Sequence, residues 1–360
     1  MRVLHLTDRW SDRGGAYVHL QGIVEEQRKA GHTLRVAAAD LEGQPPACPE
    51  LSVVAGLEAR GEDPAPLLAL DALVAAERPD LVHVHTVMNP RVLEWAGARP
   101  ALITVQDHRL FCPGRGKLRL DGRVCVEAMS PTTCAPCFED QAYFRHILGL
   151  TERRLRALRS LRRVVVLSEY MQRELVAVGV PEQQVDVVPP FVHDLRDCPA
   201  NGPPCVLFVG RLVSAKGPLE AVAAWRASEV RLPLVVAGTG PLREAVAAAG
   251  AEVLGWVGRA ELARLYARAR AVLLTSRWQE PFGIVGLEAR SLGVPVVAWD
   301  SGGVREWSPS ALVPWGDVEG LARELNRALA GGAAPKVADE RAVRMRQLSD
   351  VYGRAAGSRG

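Results

Sequence analysis

Two glutamates eight positions apart, Glu280 and Glu288, flank the run Pro281-Phe282-Gly283-Ile284-Val285-Gly286-Leu287. Upstream lies the apolar strand-like run Val272 to Ser276. Downstream, a helical pattern continues from Ala289 to Leu292, stops at Gly293 and gives way to a second strand-like run, Val294 to Ala298. Strand, turn, helix and strand make one βαβ unit. In such units ligands gather at the carboxyl ends of the strands, where helix N-termini offer backbone N–H groups to anions. The pattern places Glu280 before the helix and Glu288 inside it, and five or six helical residues advance about 8–9 Å. The two carboxylates can then hold separate hydroxyl-bearing parts of one elongated ligand whose anionic middle sits at Phe282, Gly283 and Ile284. A nucleotide sugar, with ribose, diphosphate and hexose in line, has that layout.

Breaking a sugar–diphosphate bond demands stabilisation of negative charge on the departing phosphate oxygens. Arg211 and Lys216 lie five positions apart in Phe208-Val209-Gly210-Arg211-Leu212-Val213-Ser214-Ala215-Lys216-Gly217. There they can converge from a strand end and the next loop, one as a bidentate fork and the other as a point charge. The plain alternative is a pair of solvated surface cations, with Glu280 an ordinary N-terminal acid stabilising the helix by about 0.3–1 kcal/mol. Near the amino terminus, Gly14 and Gly15 between the first strand and first helix let the backbone approach a phosphate or an acceptor.

These residues carry a resemblance. Ser276 to Ala289 is similar to the S-x-x-x-EPFG-x-x-x-x-EA pattern of the retaining glycosyltransferases of family 4, and Phe208 to Gly217 resembles their strand followed by GR-L-x-x-x-KG. Val235 to Leu242 resembles the strand entering a G-x-GP-L turn that contains Gly238 and Gly240. Leu254 to Gly258 with Leu262, Leu265 and Tyr266, and Asp300 to Glu306, complete five motifs in the family's order. The resemblance implies the GT-B fold: α/β, two Rossmann-like doubly wound domains facing a deep cleft, with a C-terminal helix crossing back to the N-terminal domain. It also implies retaining transfer from a nucleoside-diphosphate sugar, with Arg211 and Lys216 on the phosphates, Glu288 on the ribose and Glu280 on the hexose. Many relatives carry a His-Asp pair after the strand Leu102 to Val105, whereas this chain has Gln106-Asp107-His108. His108 is the candidate to take over that catalytic contact, and His85 can line the acceptor side.

Stepping outward, strand-like and helical runs alternate from Val3 to Leu167, the mark of a doubly wound parallel sheet. Polar, Pro- and Gly-rich residues from Asp194 to Pro204 read as a linker. The expected division is an acceptor-side domain over 1–196, a nucleotide-sugar domain over 203–338 and a returning helix over 339–360. A cysteine-rich insert occupies roughly 107–140 of the first domain, where Cys112, Cys125, Cys134 and Cys137 fall within 26 residues. A structural zinc is the leading reading of that spacing, beside disulfides, an iron–sulfur centre or unrelated thiols. So few core-forming residues need a staple. With all four ligands filled, the metal would take no part in catalysis.

With 360 residues, 48% of them hydrophobic, the chain can bury two cores. A net charge of +3 argues against a nucleic-acid partner. No apolar run is long enough to span a membrane, and the first residues read as a strand rather than a leader, so a cytoplasmic location is expected. Arg153, Arg154, Arg156, Arg159 and Arg162, interleaved with leucines, form a basic amphipathic helix. It reads as a core helix with a solvated cationic face, or as a peripheral membrane contact for a lipid-linked acceptor. The acceptor is open among saccharides, lipid-linked sugars and small molecules. Two other functional classes stand beside the transferase: a degenerate sugar-nucleotide-binding or partner protein, and a nucleotide-sugar epimerase.

Overall fold

A computed structural model describes residues 1–192, 195 and 199–357. The chain divides into two compact units: Met1–Leu120, Cys125–His193 and Glu340–Gly360 form one, and Asp121–Val124 with Asp194–Asp339 form the other. Of the linker expected from Asp194 to Pro204, Asp194, Arg196 and Asp197 lie outside the described residues.

The first unit runs β1 (Arg2–Ser11), α1 (Gly15–Lys29), β2 (Thr33–Glu42), β3 (Leu51–Val53), α2 (Ala65–Glu77), β4 (Leu81–Val84), α3 (Pro90–Gly97), β5 (Ala101–Val105), α4 (Pro131–Cys134), α5 (Gln141–Ser160), β6 (Arg163–Val166), α6 (Glu169–Ala177) and β7 (Val185–Val187). Its seven strands are all parallel, in the order β3-β2-β1-β4-β5-β6-β7. Alternate residues of a strand point to opposite faces, and both faces are covered. Leu4, Leu6, Val82, Val84, Ile103 and Val166 pack with residues of α2, α3, α5 and α6 on one side. Val3, Leu81, Leu102 and Val165 pack with Leu20, Ile23 and Val24 of α1 on the other. The strands are therefore almost continuously apolar, as expected for a parallel sheet buried on both faces.

The second unit runs β8 (Cys205–Val209), α7 (Pro218–Ala227), β9 (Leu234–Ala237), α8 (Arg243–Ala248), β10 (Glu252–Gly255), α9 (Arg259–Arg268), β11 (Ala269–Leu274), α10 (Ile284–Ser291), β12 (Val296–Trp299), β13 (Ala311–Val313) and α11 (Val318–Gly331). Its parallel sheet has the order β10-β9-β8-β11-β12-β13. A last helix, α12 (Arg341–Ala356), returns to the first unit, where Leu348, Val351, Tyr352 and Ala355 complete the core beside α1.

The expected cationic face is solvated only in part. Of the five arginines from Arg153 to Arg162, Arg156 is exposed, and the other four are tied to groups of their own unit. Arg153 pairs with Glu94 at 2.5 Å and also with Glu62. Arg154 is buried, donating to the carbonyl oxygens of Met88 (2.8 Å) and Arg60. Arg159 donates to the Val178 carbonyl and Arg162 to the end of α12. These guanidiniums cap loops and helix ends within their own unit. No helix of the described residues is long and apolar enough to cross a membrane.

Candidate active site

In the second unit the strand order reverses between β8 and β11, and the carboxyl ends of strands at such a switch point form a ready crevice. The loops there are stitched together by close backbone contacts. Thr275 donates its hydroxyl to the Gly217 carbonyl at 2.6 Å. Gly217 has φ of +66°, and a Cβ on it would lie 1.8 Å from the Thr275 oxygen, so glycine alone fits. Lys216 is thereby held at the end of β11, and its ammonium donates to Glu280 Oε1 at 2.6 Å. The Ser276 hydroxyl donates to the same oxygen. Lys216 also lies over the Trp278 ring, 4.4 Å from its centroid.

Glu280 is 5% exposed. Burial pushes its carboxyl up, but Lys216, Ser276 and Trp278 outweigh that and hold it below the usual range. Its backbone is equally fixed. The amide donates to Ser301 Oγ at 3.3 Å, and the carbonyl accepts from Gly303 N at 2.8 Å. A Cβ on Gly302 would sit 2.2 Å from that carbonyl oxygen.

From Glu280 the chain passes Phe282, buried, with its carbonyl accepting from Trp307 Nε1 at 2.7 Å. Gly283, left-handed at φ +87°, starts α10 at Ile284. One turn along the helix, Glu288 is 4% exposed. It accepts from Arg259 Nη1 at 2.6 Å and from the Tyr266 hydroxyl at 3.0 Å. Burial, then the Glu288 carboxylate, pushes the Tyr266 phenol well up, so it remains a donor. Arg259 and Tyr266 stand at the start and the third turn of α9. Sequence reasoning had Tyr266 only as part of a motif and missed Arg259, Ser276, Ser301 and Trp278 as site residues. The R-A-E-L-A-R-L-Y run of α9, from Arg259 to Tyr266, carried no local signal that it faces α10.

Arg211 follows Gly210 at the end of β8 and is exposed, with no side-chain hydrogen bond or ion pair among the described residues. The structure thus brings Lys216 onto Glu280 directly and gives Arg211 no hydrogen bond or ion pair with either among the described residues. Gly240 belongs to the turn after β9, which is tied to the β8 loop by Leu212 N donating to the Thr239 carbonyl at 2.8 Å.

In the first unit the order reverses between β1 and β4. Asp8 accepts from Tyr17 at 3.1 Å and from Thr86, and Arg9 pairs with Glu42 at 3.2 Å. Gly14 N-caps α1 with no side-chain cap, leaving the first-turn amides of Gly15 and its neighbours to other acceptors. After β5, Asp107 pairs with Arg109 at 2.7 Å. His108 between them is buried, its Nε2 bonded to the Tyr170 hydroxyl at 2.9 Å and its ring beside Phe111. His108, expected to take over the family's His contact, thus follows β5 as a buried, hydrogen-bonded ring. His85, named for the acceptor side, is buried as well.

His85 belongs instead to a cluster with His5 and His83, whose ligand-capable nitrogens all lie within 4.8 Å. The geometry argues against a metal there. His5 Nε2 bonds Gln27 Oε1 at 2.8 Å, so it carries the proton and Nδ1 must accept from His85 Nε2 at 3.0 Å. Gln27 Nε2 donates to the Tyr352 hydroxyl at 2.9 Å, Tyr352 donates to His83 Nδ1 at 2.6 Å, and His83 Nε2 donates to Thr104 at 2.7 Å. Five of the six ring nitrogens are therefore engaged in one unidirectional chain. Burial holds the imidazoles neutral, lowering His5 to about 4 and His83 and His85 well below the ordinary value.

The four cysteines of the insert form no disulfide and lie near one another, but no three of their sulfurs lie within 4.8 Å among the described residues.

The chain matches the family model for Glycosyltransferase Family 4 over residues 13–195 and that for Glycosyl transferases group 1 over residues 203–331. It is 32% identical to a 2-deoxystreptamine glucosyltransferase of Streptomyces kanamyceticus over 55% of this chain and 58% of that one. It is 34% identical to glycogen synthase of Mycobacterium tuberculosis over 42% and 40%. The chain thus spans about half the length of these curated relatives. In fold it is similar to Anabaena Alr3699/HepE, solved with UDP and glucose, at a TM-score of 0.67 and 18% identity over 98% of this chain and 99% of that one. It is likewise similar to WaaG, a glycosyltransferase of lipopolysaccharide biosynthesis, at 0.63 and 17% over 99% and 96%. Two parallel Rossmann-like sheets with these neighbours make the fold GT-B, and the chain belongs to glycosyltransferase family 4.

Proposed function

We propose that the protein transfers a sugar from a nucleoside-diphosphate sugar to a hydroxyl-bearing acceptor with retention at the anomeric carbon. The observation that carries this reading is the Lys216–Glu280 pair at the β8/β11 switch point, its carboxylate buried and its ammonium partly so, one helical segment away from Glu288 held by Arg259 and Tyr266. A charge pair taken out of water at a crevice is costly as a stabilising device, and it has the chemistry the reaction needs. The relatives' names support a glycosyl substrate, and HepE was solved with UDP-glucose.

The diphosphate lies at the start of α10 beside Gly283 and Ile284, where backbone N–H groups and the helix dipole favour an anion. Lys216 and Arg211 neutralise the phosphate oxygens as the bond from the anomeric carbon to the distal phosphate oxygen breaks. Glu280 accepts from the sugar hydroxyls and steadies the cationic ring, and Glu288 accepts from the ribose. The acceptor oxygen bonds to the anomeric carbon on the face the phosphate leaves, and its proton passes to that phosphate oxygen. Gly14 and Gly15 present uncapped amides of α1 to a phosphate or acceptor group. A zinc held by Cys112, Cys125, Cys134 and Cys137 would belong to the fold and not to this reaction, because four thiolates leave no coordination position for substrate.

The test is incubation with UDP-, GDP- and ADP-sugars and candidate acceptors, reading nucleoside diphosphate release and the anomeric configuration of the product. Release with a retained configuration is expected. No release with any donor favours a binding protein, and a converted sugar still attached to its nucleotide favours an epimerase.

A further inference from the structure

The cysteine insert plays no part in the proposed transfer, yet its backbone is arranged around its sulfurs. Among the described residues Lys117 is one of three non-glycine residues at positive φ, +63°, a conformation that needs its surroundings to hold it. Its backbone N–H, with that of Gly114, faces the Cys112 sulfur. Its carbonyl accepts from Cys125 N at 2.7 Å. Its ammonium is 5% exposed and donates to the Glu127 carbonyl at 2.5 Å and to Glu174 of α6 at 2.9 Å. One strained residue therefore joins the first cysteine to the second and anchors both to the unit's core.

The other half repeats the logic. Ser130 caps α4 by accepting from Thr133 N at 3.1 Å, α4 ends at Cys134, and the turn that follows ends at Cys137. A Cβ on Gly114 would lie 3.9 Å from Cys112 Sγ and 3.8 Å from Cys137 Cβ, so the two halves meet. Four thiolates converging there would repel one another unless a cation neutralised them. The insert's first residues, Leu110 and Phe111, join the unit's main core, but around its last two cysteines the apolar cluster is only Cys134 with Phe144 and Leu148 of α5 and three partly buried neighbours, little to fix so many turns unaided.

We propose that Cys112, Cys125, Cys134 and Cys137 bind one Zn²⁺ that draws the insert closed. A tetrahedral ion about 2.3 Å from each sulfur sets the sulfurs about 3.8 Å apart, whereas no three of them lie within 4.8 Å of one another among the described residues, so binding tightens the segment between residues 112 and 137. Each thiol that binds releases its proton to solvent. This concerns the fold of the first unit and stands whether or not the chain transfers a sugar.

The test uses the full chain purified anaerobically without chelator. Elemental analysis should find about one zinc per chain, released when a mercurial blocks the thiols, and Co²⁺ in its place should show thiolate-to-cobalt charge transfer. Removing zinc with a chelator should open the insert to trypsin at the exposed Arg115 and Arg123, and adding Zn²⁺ alone should close it again. Cys112→Ser and Cys134→Ser should lose the metal while Cys48→Ser keeps it. The chelator experiment on the unaltered chain decides the matter where a variant fails to fold. Absence of zinc with all thiols titratable, iron with inorganic sulfide, or thiols consumed in disulfides would each overturn the proposal.

Discussion

Each unit buries polar groups near the point where its strand order reverses, and the two do so in opposite ways. In the second unit the groups are charged and held in pairs, Lys216 with Glu280 and Arg259 with Glu288. In the first they are neutral, six side chains passing hydrogen bonds from His85 to Thr104. An ion pair with a buried carboxylate stabilises little, because desolvation offsets much of its Coulomb attraction, whereas a neutral network with all but His85 Nδ1 of its ring nitrogens bonded fixes a core in one arrangement. The difference separates a site kept for chemistry from one kept for architecture.

The sharpest way to break that contrast is Lys216→Met. Turnover should fall by roughly 100- to 1,000-fold, about 2.7–4 kcal/mol of lost electrostatic stabilisation, and the chain should also lose stability because Glu280 is left buried without its cation. Adding Glu280→Gln should restore the melting temperature but not the turnover. If the double variant recovers both, the pair is architectural after all. On the other side, Tyr352→Phe strips one hydroxyl from between Gln27 and His83. A loss of about 1–3 kcal/mol is expected from denaturant unfolding, with donor KM unchanged.

The pH dependence tests the same network. His5 has its folded pKa lowered from 6.5 to about 4, so between those values the unfolded chain binds the extra proton and the folded one does not. Stability is therefore fully present above pH 6.5 and falls as pH drops toward 4, by about 1.4 kcal/mol per pH unit from this group. A flat stability profile over that window would show that the imidazoles are not held neutral. The smallest effect is expected for Arg259→Met, which leaves Glu288 with Tyr266: donor KM should rise by roughly fivefold, about 1 kcal/mol, with kcat nearly constant.

Reading of the residues reached the second unit further than the first. Glycines at fixed offsets, two glutamates and an Arg/Lys pair all lie within short stretches of chain, so the turn at Gly217 and the start of α10 could be written down before any coordinates. What escaped were partners supplied by other elements. Arg259 reaches Glu288 across 29 residues, and Ser301 reaches Glu280 across 21. In the first unit, alternation marked the strands, but His5, His83 and His85 looked like ordinary strand residues until Tyr352 arrived from the far end of the chain. The surroundings of His108 were hidden for a related reason: its partner Tyr170 is 62 residues away, and nothing local shows that the ring after β5 is buried. The arginines of α5 similarly met carbonyl groups that no local pattern announces.

The hydroxyl of Tyr352 reaches His83 over 269 residues of sequence, with the whole second unit translated in between. At about 5–20 residues per second, the first sheet waits tens of seconds on the ribosome with its histidine chain uncovered. A nascent chain of this protein should therefore remain sensitive to proteases and dependent on chaperones until its last helix emerges, even though every strand of that sheet was synthesised long before.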